Sequence, residues 1–420
     1  MTEETSLVPK RRFKEFHNTD AWKQRKLGDV IEKMYNGQTP SRFNDDNWNG
    51  DINWLSSGEL NRGVVTETVE KITEIGRKVA NLKIVPKGIF VMAITGLEAA
   101  GTRGNCAILG IDTTLNQSCM ALFPQSKVLD TKFLFQWYRK VGEEYGINYT
   151  QGTKQQSYNA ELVKILPITL SEIEEQKKIG EFFANLDNLI TIHRRKLEKT
   201  KALKSACLSE MFPIEGEREP KRRFAGFTGA WEQRELDSIY KKIRNAFVGT
   251  ATPYYVDSGN FYLESNNVKD GQINRITEIF INDEFYEKQK DKWLHTGDLV
   301  MVQSGHVGHT AVIGEELDGT AAHALIMFQE YKEQVDPYFL NIQFQTREAK
   351  RKLENITTGN TIKHILASEM KKFEVSIPQI EEQQRIGSFF KRLDHLITLH
   401  QRKLEKLQSI KKAYLNEMFV

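Results

Sequence analysis

Cysteine is scarce in this chain. Cys106, Cys119 and Cys207 are its three cysteines, an odd number without C-x-x-C spacing, so reduced thiols are expected and a structural zinc site is not. Charge of one sign is scarce too: 59 Lys and Arg against 56 Asp and Glu leave a formal net charge of +3. Any basic surface must therefore come from segregation rather than excess. No apolar run approaches the length of a membrane span, and the opening MTEETSLVPKRRF lacks the apolar core of a signal peptide. The expected location is the cytoplasm.

Catalytic signatures are missing as well. There is no G-x-x-x-x-G-K-[ST] loop and no glycine-rich fingerprint for a dinucleotide or S-adenosylmethionine. Asp336-Pro337-Tyr338-Phe339 looks superficially like a base-gripping methyltransferase loop but lacks its second proline, and Asp before Pro is an ordinary helix start. Glu348-Ala349-Lys350 could be half of a nuclease pair, yet it lies in an amphipathic helical pattern with no Pro-Asp partner upstream. His306 and His309 have i, i+3 spacing, but no third ligand cluster is near and the stretch reads as a turn between strands, so no metal is expected. His193 and His400 fall on a helical seam, where a polar residue setting register is the plainer reading. No catalytic residue is assigned.

What the chain has is a duplication. PKRRF occurs at Pro9 to Phe13 and again at Pro220 to Phe224, and each copy is followed by Ala-Trp-x-Gln-Arg or its near equivalent. The longest match sets Glu174 to Phe212 against Glu381 to Phe419, with 24 of 39 positions identical and no gap. Weaker echoes pair Lys83 to Gly96 with Lys292 to Gly305, and Trp54 to Gly63 with Tyr262 to Gly271. A chain of 420 residues also exceeds one ordinary core. Tandem repetition follows, each half a variable segment with a near-identical one behind it.

In the near-identical segments apolar residues recur with alternating three- and four-residue steps: Phe183, Leu186, Ile190 and Leu197, then Phe390, Leu393, Ile397 and Leu404. That spacing predicts two long helices pairing through their seams, with Lys and Arg on the outer positions. The variable segments carry short apolar runs punctuated by Gly, Asn and Asp, such as GIFVMAITG and GDLVMVQSG, which predict strands and turns. One helix is expected late in each, over LDTKFLFQWYRKVGEEY and DPYFLNIQFQTREAKRKLENI. The predicted fold class is α+β: a tandem duplication of two globular domains of mixed helix and sheet, separated by two long antiparallel helices in a coiled-coil spacer, with a cyclic pseudo-twofold arrangement. The expected division is 1–171 (arm and first domain), 172–212 (first helical region), 213–378 (linker and second domain) and 379–420 (second helical region).

Two related domains with different surface residues on a helical spacer suit a ligand read at two separated places, and DNA is such a ligand. The order of parts carries a resemblance: G-x-T-P-S at Gly37 to Ser41, GDINWLSSGEL, the Gln-Gly-Thr turn at Gln151 to Thr153, and L-P-x-x-L-x-E-I-E-E-Q-x-x-I-G-x-F-F-x-x-L-D at Leu166 to Asp187. Over essentially the whole chain it resembles the specificity subunit of type I restriction-modification enzymes. The resemblance implies that each domain reads one half of a bipartite double-stranded DNA site. It implies that the helices dock two methyltransferase subunits, that restriction and motor subunits join the complex, and that S-adenosylmethionine, ATP and Mg are bound by those partners. Two other readings stay open on the residues alone: a helical scaffold without DNA specificity, and a nuclease in its own right.

Candidate DNA contacts are polar residues of variable turns. In the first domain they are Thr39, Ser41, Arg42, Ser56, Ser57, Arg103, Gln117, Lys154, Gln155 and Gln156. In the second they are Ser265, Asn266, Asn267, Gln303, His306, His309, His323, Thr361, Lys363 and His364. Arg and Lys address guanine or phosphate, Gln and Asn adenine, and Ser or Thr either. The basic helix faces, with Arg195 and Arg402, and the PKRRF segments are candidates for phosphate contact.

Overall fold

The computed structural model describes residues 7–99, 101–152, 155–359 and 363–420. The chain divides into two compact units: Met1–His193 with Arg402–Val420, and Arg194–Gln401. Two long helices, Ile173–Glu210 and Ile380–Met418, dominate the near-identical segments. Both are cut by the division, so each unit holds the first half of one helix and the last half of the other. Within each unit the helical halves share a core with the globular part.

In the first unit β2 (Ile31–Asn36), β4 (Gly63–Val65), β6 (Phe90–Ala93), β7 (Cys106–Leu109) and β9 (Cys119–Pro124) form a five-stranded sheet in the order β2-β9-β6-β7-β4. Its pairs are antiparallel except β7 with β4. A smaller sheet, β5-β3-β8, joins Glu70–Ile72, Trp48–Leu55 and Thr114–Leu115. A third pair, β1 (Lys23–Lys26) with β10 (Pro167–Leu170), leads into the first long helix. The expected late helix runs Thr131–Asn148, and Asp130 caps it by accepting from the Phe133 N–H at 2.9 Å.

The second unit repeats the plan. Tyr240–Asn245, Leu325–Tyr331, Leu299–Val302 and Thr310–Val312 form the main antiparallel sheet, and a smaller sheet contains Asn260–Leu263 and Ala321–Ala322. Here the late helix is broken into Pro337–Gln343 and Arg347–Ile356, with Thr346 capping the second piece through the Ala349 N–H at 3.2 Å. Asp336 and Pro337 start the first piece as an ordinary helix, with Asp336 accepting from Phe339 N–H at 2.7 Å.

The repeated sequence motifs are largely explained by how each unit is locked. Glu175 and Gln176, and their equivalents Glu382 and Gln383, are fully buried at the helix starts. Gln176 receives the Asp130 N–H at 3.1 Å and donates to the Val128 and Ser171 carbonyls at 2.9 and 2.8 Å. Gln383 receives the Asp336 N–H at 3.0 Å and donates to the Pro378 carbonyl at 2.8 Å. A Cβ on Gly180 would lie 2.9 Å from Asp130 Oδ1, and one on Gly387 2.5 Å from Asp336 Oδ1. The I-G-x-F-F glycine is thus a close-approach position, where the long helix rests on the cap of the late helix.

PKRRF acts as a clamp in each unit. Arg12 pairs with Glu175 and Arg223 with Glu382. Arg11 pairs with Glu417 while Arg222 pairs with Glu210, so each segment joins the start of one long helix to the end of the other within its own unit. Phe13 packs edge-on to Phe182, as Phe224 does to Phe389.

Helix pairing is antiparallel in both units. In the first, Phe183 meets Phe419 with ring centroids 5.9 Å apart, and Asp187 accepts from Lys411 Nζ at 2.6 Å. In the second, Phe212 meets Phe390 at 6.2 Å, and Lys204 donates to Asp394 at 2.6 Å. Of the expected seam, Phe183, Leu186, Ile190, Leu197, Phe390 and Leu393 are buried, whereas Ile397 and Leu404 are half-buried. Phe183 and Phe390 belong to the globular cores as much as to the helix pair.

Candidate nucleic-acid interface

The two units build their polar loops on the same backbone frame. At the exit of the central strand, Thr95 bridges Ser157, which also pairs with Gln151; in the second unit Ser304 bridges His364, which pairs with Thr358. Equivalent bridges therefore lie at the strand exit in each unit. The second frame is the end of the small sheet. There the Asn116 N–H donates to the Leu55 carbonyl at 2.9 Å, and the His323 N–H to the Leu263 carbonyl at 2.9 Å.

In the first unit the sheet-end group comprises Thr39, Ser41, Arg42, Ser56, Ser57 and Gln117. Thr39 hydrogen-bonds the exposed Gln117 side chain. The Ser41 carbonyl accepts from Asn47 Nδ2 at 3.0 Å and Trp48 Nε1 at 3.1 Å, and its hydroxyl accepts from the Phe43 N–H at 3.4 Å. Arg42 lies over Trp48 with Cζ 3.8 Å from the ring centroid and pairs with Glu70, which raises the guanidinium pKa and lowers that of the carboxyl. Ser56 is committed to a capping box with Glu59, its hydroxyl donating at 2.8 Å. Ser57 is half-buried in the same turn.

Arg103 and Gln156 form the other group, Nη2 to Oε1 at 3.4 Å, beside the exposed Gln155. Arg103 also donates to the Glu98 carbonyl at 2.9 Å, and its stem packs on Gly146. Lys154 lies outside the described residues.

In the second unit Ser265 and Asn266 line the sheet-end turn, half-buried and exposed respectively. Asn267 is 3% exposed and its amide serves the turn: it accepts from the Glu264 N–H at 3.0 Å and donates to the Asn274 and Thr277 carbonyls at 3.0 and 2.8 Å. The structure places this amide inside the protein, not on its surface. His323 is half-buried, with Nε2 3.0 Å from the Gly249 carbonyl and Nδ1 3.4 Å from Glu264. The Glu264 hydrogen bond raises the imidazole pKa against the effect of burial, and His323 in turn lowers that of the Glu264 carboxyl.

Gln303, His306, Lys363 and His364 gather at the strand exit. The Gly305 N–H donates to the Lys363 carbonyl at 3.3 Å, and the Gln303 carbonyl accepts from Ile365 at 3.0 Å. His306, Lys363 and His364 are exposed. Thr361 lies outside the described residues. His309 stands apart: its Nδ1 accepts from the Asp270 N–H at 3.2 Å, and burial lowers its pKa. The His306 and His309 rings are 6.4 Å apart. Among the described residues no three His, Cys, Asp or Glu side chains converge as a metal site would require.

The second unit also holds a cleft that no sequence pattern announces. About 840 Å³ in volume, it lies between the end of the first long helix and the helix Arg347–Ile356, with His309 on its wall. Lys201, Lys204, Arg347, Lys350 and Arg351 line it against Asp270 and Glu354, so its lining is net basic. Lys204 is tied to Asp394 and to Gln345 at 2.8 Å. The signal was diluted because these residues come from segments more than 140 positions apart in an almost neutral chain.

The family model for the type I restriction modification DNA specificity domain matches residues 19–202 and again 229–409. The type I restriction enzyme MjaVIII specificity subunit of Methanocaldococcus jannaschii is 23% identical over 96% of this chain and 94% of its own length. The putative MjaX specificity subunit of the same organism is 23% identical over 94% of this chain and 92% of its length. A crystal structure of the type-I restriction-modification system S subunit from M. genitalium covers 99% of both chains with a TM-score of 0.66 at 12% identity, which shows the fold to be shared. The chain belongs to the type I restriction modification DNA specificity domain family and carries that domain twice. It is a type I restriction-modification specificity subunit with two recognition domains. No helix among the described residues is long and apolar enough to cross a membrane.

Proposed function

We propose that each unit reads one half of a bipartite double-stranded DNA site and that the chain itself performs no chemistry. Methyl transfer, ATP hydrolysis and cleavage belong to methyltransferase and restriction subunits, which bind S-adenosylmethionine, ATP and Mg. The paired helices space the readers and dock two methyltransferase subunits. One observation supports this reading above others. Equivalent frame positions carry different groups in the two units, such as the half-buried Ser157 against the exposed His364. One scaffold thereby presents two hydrogen-bonding patterns, which is what reading two unlike half-sites requires.

The outer helix faces support the docking role. Leu189 and Leu396 occupy the same repeat position and are 43% and 41% exposed, and Arg195 and Arg402, at another shared repeat position, are exposed too. Methylation-sensitive sequencing of a strain expressing this chain with its partner subunits should give a single bipartite motif that disappears when the chain is deleted. A motif that persists without the chain would refute the reading.

A further inference from the structure

Two large apolar side chains stand clear of the surface in the sheet-end loops: Phe43 is 101% exposed and Ile276 92%. Burial stabilises neither, so the fold gives no reason for either. Each follows an arginine that contacts an aromatic ring and a carboxylate. Arg42 lies on Trp48 and donates to Glu70, Nη2 at 2.9 Å. Arg275 lies over Phe261 with Cζ 4.6 Å from the centroid and pairs with Glu278 at 2.6 Å. Both loops are braced on the other side as well. The Ser41 carbonyl holds Asn47 and Trp48, and the Ile276 N–H reaches Asn274 Oδ1 at 3.4 Å, whose amide nitrogen donates to the Asn266 and Asn267 carbonyls.

The two positions are not repeat equivalents. Phe43 precedes the strand Trp48–Leu55, whereas Ile276 precedes Phe280–Ile281. A relic of duplication would fall at matching positions; here two different loops present the same device, a braced arginine followed by a bare apolar tip. The polar neighbours Thr39, Gln117 and Asn266 suit a groove wall better than an apolar protein surface.

We propose that Phe43 and Ile276 are wedges that enter a base step of duplex DNA, one in each half-site. Apolar side chains of this kind unstack a step and kink the duplex, and the cost depends on the step, least for flexible pyrimidine–purine steps. The wedges would therefore add sequence preference at a position that no hydrogen bond reads. Because Arg42 and Arg275 are already paired with carboxylates, they set the angle of the tip and leave the contact to it.

This inference rests on the half-site reading, and the test separates the two. The assembled complex is bound to its bipartite duplex with 2-aminopurine placed stepwise through each half-site, away from the methylated base. The wild-type complex should brighten the probe at one step per half-site. Phe43→Ala should abolish brightening in one half-site and Ile276→Ala in the other, each weakening binding on the order of tenfold. Phe43→Leu should keep part of the signal. Both side chains are exposed, so unchanged melting would show the variants folded. Unchanged brightening in both alanine variants would overturn the wedges while specific binding still upheld the half-site reading. Lost subunit assembly with retained brightening would overturn them too, making these residues a protein contact. A wild-type complex that bound the bipartite duplex no better than random DNA would overturn both.

Discussion

Arg12 and Glu175 form a buried two-pronged pair, Nε to Oε1 at 2.8 Å and Nη2 to Oε2 at 2.6 Å, with side chains 5% and 1% exposed. Trp22 Nε1 donates to the same carboxylate at 3.1 Å. Arg223 and Glu382 repeat the fork at 2.9 and 2.6 Å. Removing one partner leaves a buried charge uncompensated, so Arg12→Ala should destabilise the first unit by about 3–5 kcal/mol. Arg11→Ala breaks an exposed, solvent-screened pair and should cost far less. Joint replacement by Arg12→Met and Glu175→Leu should recover most of the loss. Urea denaturation of the four proteins checks the order.

A second contrast comes from the repeated lysines of the helix ends. Lys204 and Asp394 are 13% and 14% exposed, whereas Lys411 and Asp187 are 12% and 36%. Lys204→Ala should therefore destabilise more than Lys411→Ala, by about 3 kcal/mol against about 1. Burial already raises the Asp394 carboxyl pKa while Lys204 opposes it. A folded-state pKa raised above the unfolded one makes stability fall as pH rises through it. Lys204→Ala should consequently regain stability on acidification, and melting at pH 5 and pH 7 measures it.

The His323–Glu264 contact predicts a different pH response. The His323 pKa is raised, so its contribution is complete below the ordinary imidazole range and is lost as pH rises through the raised value. The Glu264 pKa is lowered, so its contribution holds above the ordinary carboxylate range and is lost as pH falls through the lowered value. The contact is strongest between those limits. The second unit should melt earlier at pH 8.5 than at pH 6, and His323→Gln should remove that difference.

Charge reversal on the helices separates affinity from reading. Arg195 and Arg402 are exposed and lie outside the sheet-end and strand-exit loops. Arg195→Glu with Arg402→Glu should weaken DNA binding or subunit assembly, with a shallower salt dependence if phosphate is the contact, and leave the recognised sequence unchanged. Titrations at several salt concentrations, with methylation mapping, provide the check.

The duplication, the strands of the main sheets and the two long helices were legible because periodicity and repetition are local properties of a chain. The break at Thr346 was harder to see, since DPYFLNIQFQTREAKRKLENI is helical by composition throughout and only the Thr346 cap divides it. Asn267 was misplaced because a turn-forming asparagine looks the same in sequence whether its amide faces solvent or bonds the turn. The basic cleft and the bare Phe43 and Ile276 depend on which loops meet, which no single-segment pattern states. PKRRF shows the reverse case: its repetition was plain, but its role as a clamp became visible only with Glu175 and Glu382 beside it.

Independent reading of the two half-sites is tested most directly by exchanging the residues before Glu174 for those of a relative and mapping methylation in cells that carry the partner subunits. One half of the bipartite motif should change, with the other half and the spacer retained. A change in both halves together, or in neither, would contradict it.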